Sequence, residues 1–134
     1  DEGAETTSEP VTVNVAAHQP VWQDVTGSIG VSRSRTLLDR INRSFFVLLD
    51  LTNGSGAELA GPVRMVLQNA TLPLKESAPG LDPDGYTAAG DPYFLLVPAG
   101  DTWAAAGATL EDVRLDFLLQ RKRLGFDLMF EQLQ

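Results

Sequence analysis

A chain of 134 residues, 43% hydrophobic and free of cysteine, suits one globular domain held by core burial, with no disulfide framework, zinc knuckle or thiol nucleophile. Its net charge of −8 and pI near 4.4 weigh against a nucleic-acid partner or an anionic lipid surface, both of which need clustered Lys and Arg. No run of about 18 apolar residues exists to insert into a membrane.

In chain order, Asp1–Pro10 is acidic and polar without apolar periodicity, the pattern of an arm. A start at Asp1 in place of Met is the pattern expected after removal of a signal peptide. Val11–Ala17 alternates with period two, placing Val11, Val13 and Val15 on one face of a half-buried strand. His18-Gln19-Pro20 ends it, because proline cannot donate to a ladder. The expected organisation is therefore an arm over 1–10, a strand and linker over 11–23, and a domain over 24–134.

A second strand is expected over Val25–Arg33, with Val25, Ile29 and Val31 on one face and Gly27 marking a bulge or a close backbone approach. Arg35–Arg43 reads as a polar connection over an edge, and Ser44–Leu51 as a central strand apolar on both faces. Asn53-Gly54-Ser55-Gly56 is a turn. Val63, Met65 and Leu67 face inward from the next strand, and 69–91 is loop-rich. Tyr93–Val97 is a short strand, and Val113, Leu115, Phe117 and Leu119 alternate with Arg114, Asp116, Leu118 and Gln120. After the basic turn Arg121-Lys122-Arg123, the last strand is Phe126–Leu133, with Phe126, Leu128 and Phe130 on one side.

Thr109 and Asp112 imitate a helix capping box, with Leu110, Val113, Phe117 and Leu118 near a helical stripe. The strand reading is preferred because period two runs through two consecutive segments. The sum is an all-β, antiparallel β-sandwich of about seven or eight strands, with an extra N-terminal strand able to pair with a neighbouring chain.

The order Asp24-Val25-Thr26, Val31-Ser32-Arg33-Ser34, Leu51-Thr52-Asn53-Gly54-Ser55-Gly56, Ala60-Gly61-Pro62-Val63, Gly90-Asp91-Pro92-Tyr93 and Val113-Arg114-Leu115-Asp116-Phe117 resembles bacterial secreted Ig-like or fibronectin-III-like modules. The resemblance covers most of the chain. It implies a sandwich fold and a secreted or cell-surface setting, and it carries no catalytic signature to transfer.

The chemistry-bearing residues are few. His18 stands alone beside a proline, where a surface or linker histidine is expected over a metal ligand or triad member. Asp82, Asp84 and Asp91 are calcium candidates, since hard cations take oxygens on tight turns, but Pro83 and Gly85 equally suit an ordinary turn. Trp22, Trp103, Tyr86 and Tyr93 are candidates for a sugar-stacking platform, set against the plainer role of Trp22 and Trp103 as plugs at the ends of the sandwich. Asn42, Asn53 and Asn69 each match the N-glycosylation acceptor pattern. Arg121, Lys122 and Arg123 concentrate positive charge on a turn of an acidic protein and suit the acidic arm of a neighbour.

Two functions follow as expectations. One is an extracellular structural subunit that self-assembles into a filament or surface layer, lending its Val11–Ala17 strand to the next copy. The other is a carbohydrate-binding or adhesive module of a secreted protein. Neither calls for a cofactor, and an enzyme is the least supported class, because no nucleophile elbow, phosphate loop or dinucleotide fingerprint is present.

Overall fold

The computed structural model describes residues 21–75, 78–105 and 107–133. Among them are eleven strands: β1 Trp22–Asp24, β2 Ile29–Arg33, β3 Leu37–Asp39, β4 Ser44–Asn53, β5 Leu59–Ala60, β6 Val63–Gln68, β7 Gly85–Tyr86, β8 Pro92–Val97, β9 Thr102–Trp103, β10 Thr109–Leu118 and β11 Asp127–Leu133. The fold is all-β, and the strand pairings are antiparallel. The count exceeds the expected seven or eight because five of the elements hold only two or three residues. No helix among the described residues is long and apolar enough to cross a membrane.

Sheet I has the order β10–β4–β2, with β3 also pairing with β4. Sheet II has the order β1–β11–β6–β8–β7, and β5 pairs with β9. The period-two alternation decides what each sheet buries. Val47, Leu49 and Leu51 of β4 meet Leu115 and Phe117 of β10 on one side of the core. Val63, Met65 and Leu67 of β6, Phe94 of β8 and Phe130 of β11 supply the other. Leu59 and Trp103 close one end of this core, and Leu72 and Leu124 the other. Each fully buried Leu or Phe contributes about 1.5–3 kcal/mol over its exposed state.

Several expectations are corrected. The strand expected from Val25 begins at Ile29, because residues 26–28 form a 3₁₀ turn. Here the chain leaves sheet II and enters sheet I: the Val25 amide still donates to the Phe130 carbonyl, while Ile29 already pairs with Asn53. A Cβ on Gly27 would meet nothing within 4 Å, so no close backbone approach occurs there. The connection over 35–43 contains β3, a hairpin partner of β4. Trp22 and Gln23, read as linker, lie in β1 beside Gln132 and Leu133.

The capping-box imitation at Thr109 and Asp112 belongs to a β-bulge between Leu110 and Val113. Asp112 takes a positive φ of 56° there, and its amide donates to the Asp50 carboxylate. Leu119, expected inward, lies past the end of β10 and is exposed. The basic turn is no hairpin tip, since it carries the chain from β10 in sheet I to β11 in sheet II.

The loop-rich segment has a structural task of its own. The Leu118 amide donates to the Pro73 carbonyl, Lys75 to Asp116, and Leu81 to Arg114. Residues 73–75 and 78–81 thus run along the outer edge of β10 and cover it. Beneath this cover Arg114 grips Asp116 at 2.7 Å and Asp39 at 2.8 Å, and lies 3.8 Å from the Phe46 ring centre. Ser44 donates a 2.6 Å hydrogen bond to the same buried Asp116 carboxylate. Burial alone would raise the Asp116 carboxyl, but the hydrogen bonds from Arg114 and Ser44 outweigh it and hold the group below the ordinary carboxylate range.

Candidate functional site

Sheet I ends at β2, and among the described residues no strand pairs with its outer edge. Opposite it, β1 pairs with β11 at residues 131–133, and among the described residues the stretch Asp127–Met129 has no strand partner on that side. The sheet switch at Val25–Ser28 is the cause. One strand cannot cover both flanks once it has crossed from β11 to β4, and below the crossing the two sheets stand apart.

Val31 marks the opening. It shares the inward face of β2 with buried Ile29, yet it is 45% exposed. It looks into a groove of about 260 Å³ lined with Leu49, Phe126 and Leu128. Arg33 stands at the mouth, its guanidinium 4.6 Å from the Phe126 ring centre. The groove combines backbone that no described strand pairs with incompletely covered core side chains, which are the two things an added strand would satisfy.

Charge is arranged to match. Arg33, Lys122 and Arg123 line a shallow hollow at the end of the groove where β2 finishes. Two of the three residues of the basic turn therefore meet a third cation that the sequence places far away. Val11, Val13 and Val15, the acidic arm and His18 lie outside the described residues.

The four aromatic candidates are not gathered into one platform. Trp103 is buried and donates from Nε1 to the Ala108 carbonyl at 3.1 Å, so it plugs one end of the core. Trp22 and Tyr93 do come together, on the outer face of sheet II, but around a cation. The Arg64 guanidinium lies 3.9 Å from the Trp22 ring centre and 4.8 Å from that of Tyr93, and its Nη2 is 2.6 Å from Glu131. Those ring faces hold Arg64. The Tyr93 ring can lie across β7 because residue 85 is glycine; a Cβ there would sit 2.6 Å from the Tyr93 hydroxyl. Arg64 interrupts an apolar run, which signals an outward side chain, but Glu131 is too distant in sequence to be read as its partner.

Tyr86 stands alone and 64% exposed, on the wall of a cleft at the end of the molecule where β6 and β10 finish. Asp91 and Lys122 line the same cleft. The calcium candidates are separated in role: Asp84 accepts the Leu95 amide at 2.7 Å, while Asp91 faces the cleft. Among the described residues no group of three or more His, Cys, Asp or Glu side chains is placed to hold a metal ion.

Of the acceptor-pattern asparagines, Asn53 is fully buried. Its Nδ2 sits 2.9–3.1 Å from the carbonyls of Ala57, Trp103 and Ala104. That side chain ties the turn after β4 to β9 and has no room for a glycan. Asn42 donates to Asp39, and Asn69 donates to Asp127 at the surface. No family model, curated protein or solved structure matches this chain.

Proposed function

We propose that this protein is a structural subunit acting outside the cytoplasm that joins copies of itself by strand addition, each copy lending its Val11–Ala17 strand to the open edge of the next. In this reading the fold is a two-layer sandwich of the Ig-like or fibronectin-III-like kind, and the role requires no catalysis. The observation that carries it is the half-exposed Val31 on an inward face, beside a β2 edge that no described strand pairs.

Three features support the match between strand and groove. The valines at positions 11, 13 and 15 alternate as an edge strand needs in order to drop side chains between two sheets. A donor laid antiparallel to β2 keeps the pairing sense of the other ladders. That direction also carries the arm Asp1–Pro10 to the end of β2 where Arg33, Lys122 and Arg123 line their hollow. Arg121 adds a third charge to the same turn.

A second copy is the better donor for a topological reason. A strand that folded back on β1 within its own chain would extend sheet II, to which β1 belongs, whereas the open groove lies against β2 of sheet I. A head-to-tail contact of this kind leaves one edge and one strand to be matched at each end, and it propagates as a polymer wherever its rotation does not close a ring.

Sedimentation and electron microscopy of the full chain test the reading. Polymers or concentration-dependent oligomers are expected, dispersing to monomers on deletion of residues 1–17 and in Val31→Lys, and weakening as salt rises. A full-length protein that stays monomeric at high concentration would overturn it, and so would assembly unaffected by both changes.

A further inference from the structure

The cleft holding Tyr86 lies apart from the β2 groove and shares only Lys122 with the charged hollow at that groove's end. Its volume is about 670 Å³, within the range of roughly 300–1,000 Å³ typical of ligand clefts. Three segments far apart in sequence build it: the loop after β6, the β7–β8 hairpin, and the crossing from β10 to β11. Leu72 and Pro73 contribute apolar lining, and Tyr86, Asp91, Gln120 and Lys122 the functional groups.

These groups are unengaged. Among the described residues, the Tyr86 hydroxyl and the side chains of Asp91, Gln120 and Lys122 take part in no hydrogen bond or ion pair, although Asp91 and Lys122 line one cleft. They differ in this from Arg64, Arg114 and Asp116, which are more buried and paired, and they face solvent in the cleft. Four polar groups left to solvent around one exposed ring suit a ligand with a specific chemistry. It must offer an apolar face to the ring and groups that both donate and accept at its rim. The carboxylate only accepts, the ammonium only donates, and the amide does both. The carboxylate and the ammonium cancel in charge, which favours a neutral ligand over an ionic one.

A pyranose ring meets each condition, with C–H bonds on its faces and hydroxyls round its edge. We propose that this cleft binds a neutral oligosaccharide, stacking one sugar on Tyr86 and holding its hydroxyls with Asp91, Gln120 and Lys122. Of the four aromatic residues, only Tyr86 has a ring free for this, since Trp103 is buried and Trp22 and Tyr93 flank Arg64.

The test is a nitrogen-15 NMR titration of the full chain, or of its residue 1–17 deletion if polymers form, with cellohexaose, xylohexaose, laminarihexaose, maltohexaose and chitohexaose. At least one should bind with a Kd between roughly micromolar and millimolar. Shifts should centre on Tyr86, Asp91, Gln120 and Lys122. Tyr86→Ala and the isosteric Asp91→Asn should each weaken binding tenfold or more, while Trp22→Ala leaves it unchanged. Tyr86 is largely exposed, so its removal should leave the thermal midpoint in place and separate lost binding from lost fold. Absence of binding by every neutral hexasaccharide, binding restricted to polygalacturonate, or affinity undiminished in both cleft variants would overturn the proposal. None of those results bears on assembly through the β2 groove.

Discussion

Replacing Asn53 by alanine removes a side chain that no solvent reaches and that joins three pieces of backbone. Its Oδ1 accepts from the Ser55 amide at 3.0 Å and the Ser55 hydroxyl at 2.7 Å, which sets the turn after β4. Its Nδ2 donates toward Ala57, Trp103 and Ala104. In the variant the Ala57 carbonyl keeps the Ser55 hydroxyl as a donor at 2.8 Å. The Trp103 and Ala104 carbonyls lose the donor that Asn53 supplied. A buried polar group such as the Trp103 carbonyl left without a partner costs about 1–3 kcal/mol, and the lost bond to exposed Ala104 about 1 kcal/mol, so the variant loses about 2–4 kcal/mol. Against a total stability of about 5–15 kcal/mol this is a large fraction, and it lowers the melting temperature by about 10 °C. Urea unfolding followed by tryptophan fluorescence measures it directly, because Trp103 adjoins the lost contact. Asn53→Asp is the companion variant: it keeps the shape and the acceptor for Ser55 but turns an acceptor toward the carbonyls, so at neutral pH it should destabilise at least as much. An Asn53→Ala protein within about 1 kcal/mol of wild type would refute this account of the buried amide.

Acid should weaken the fold through its depressed carboxyls. Hydrogen bonds to Thr26 hold Asp24 low, hydrogen bonds to Asn42 and then Arg114 hold Asp39 well below the usual range, and Asp116 is low for the reasons given above. A folded value below the unfolded value of about 3.9 means the contribution is complete above that pH and disappears as pH falls through the folded values. The urea midpoint should therefore owe these groups no change between about pH 7 and 5 and should decline below about pH 4. Asp116→Asn should cost about 2–3 kcal/mol at neutral pH, discounted because Arg114 is partly solvated, and the gap to wild type should narrow in acid. Parallel curves down to pH 2 would remove Asp116 from this role. Gly80→Ala tests the cover over β10, since the new Cβ would press on the Asp116 carboxylate and lie 2.9 Å from the Arg114 carbonyl. A loss of about 1–3 kcal/mol is expected, with the Leu81 amide losing hydrogen-exchange protection before the Lys75 amide. Equal protection at Leu81 in both proteins would show that the segment accommodates the methyl group.

Local patterning decides much of the fold. Val63, Met65 and Leu67 on one face of β6, the alternation through β4 and β10, and the turn at Asn53 depend on neighbours two to four residues away, and side-chain period alone decides them. The helical imitation near Thr109 yielded to the same period, and its polar residues serve a bulge. By contrast, Val25–Arg33 looked like one strand, because alternation does not tell which sheet a residue joins; the crossing at Thr26–Ser28 follows from what β4 and β11 leave open. The aromatic residues were legible as a set but not in their roles. Trp103 went to the core, Trp22 and Tyr93 to Arg64, and Tyr86 to a cleft with Asp91 and Lys122, each settled by partners many residues away.

The sequence by itself determined an antiparallel β protein, its inward residues and its acidic balance, because alternation and composition are properties of the chain before it folds. Only the tertiary structure decided which edges the described strands leave open and which polar groups meet in one cleft. Those depend on where two sheets diverge and on which distant loops meet, and no local spacing records either.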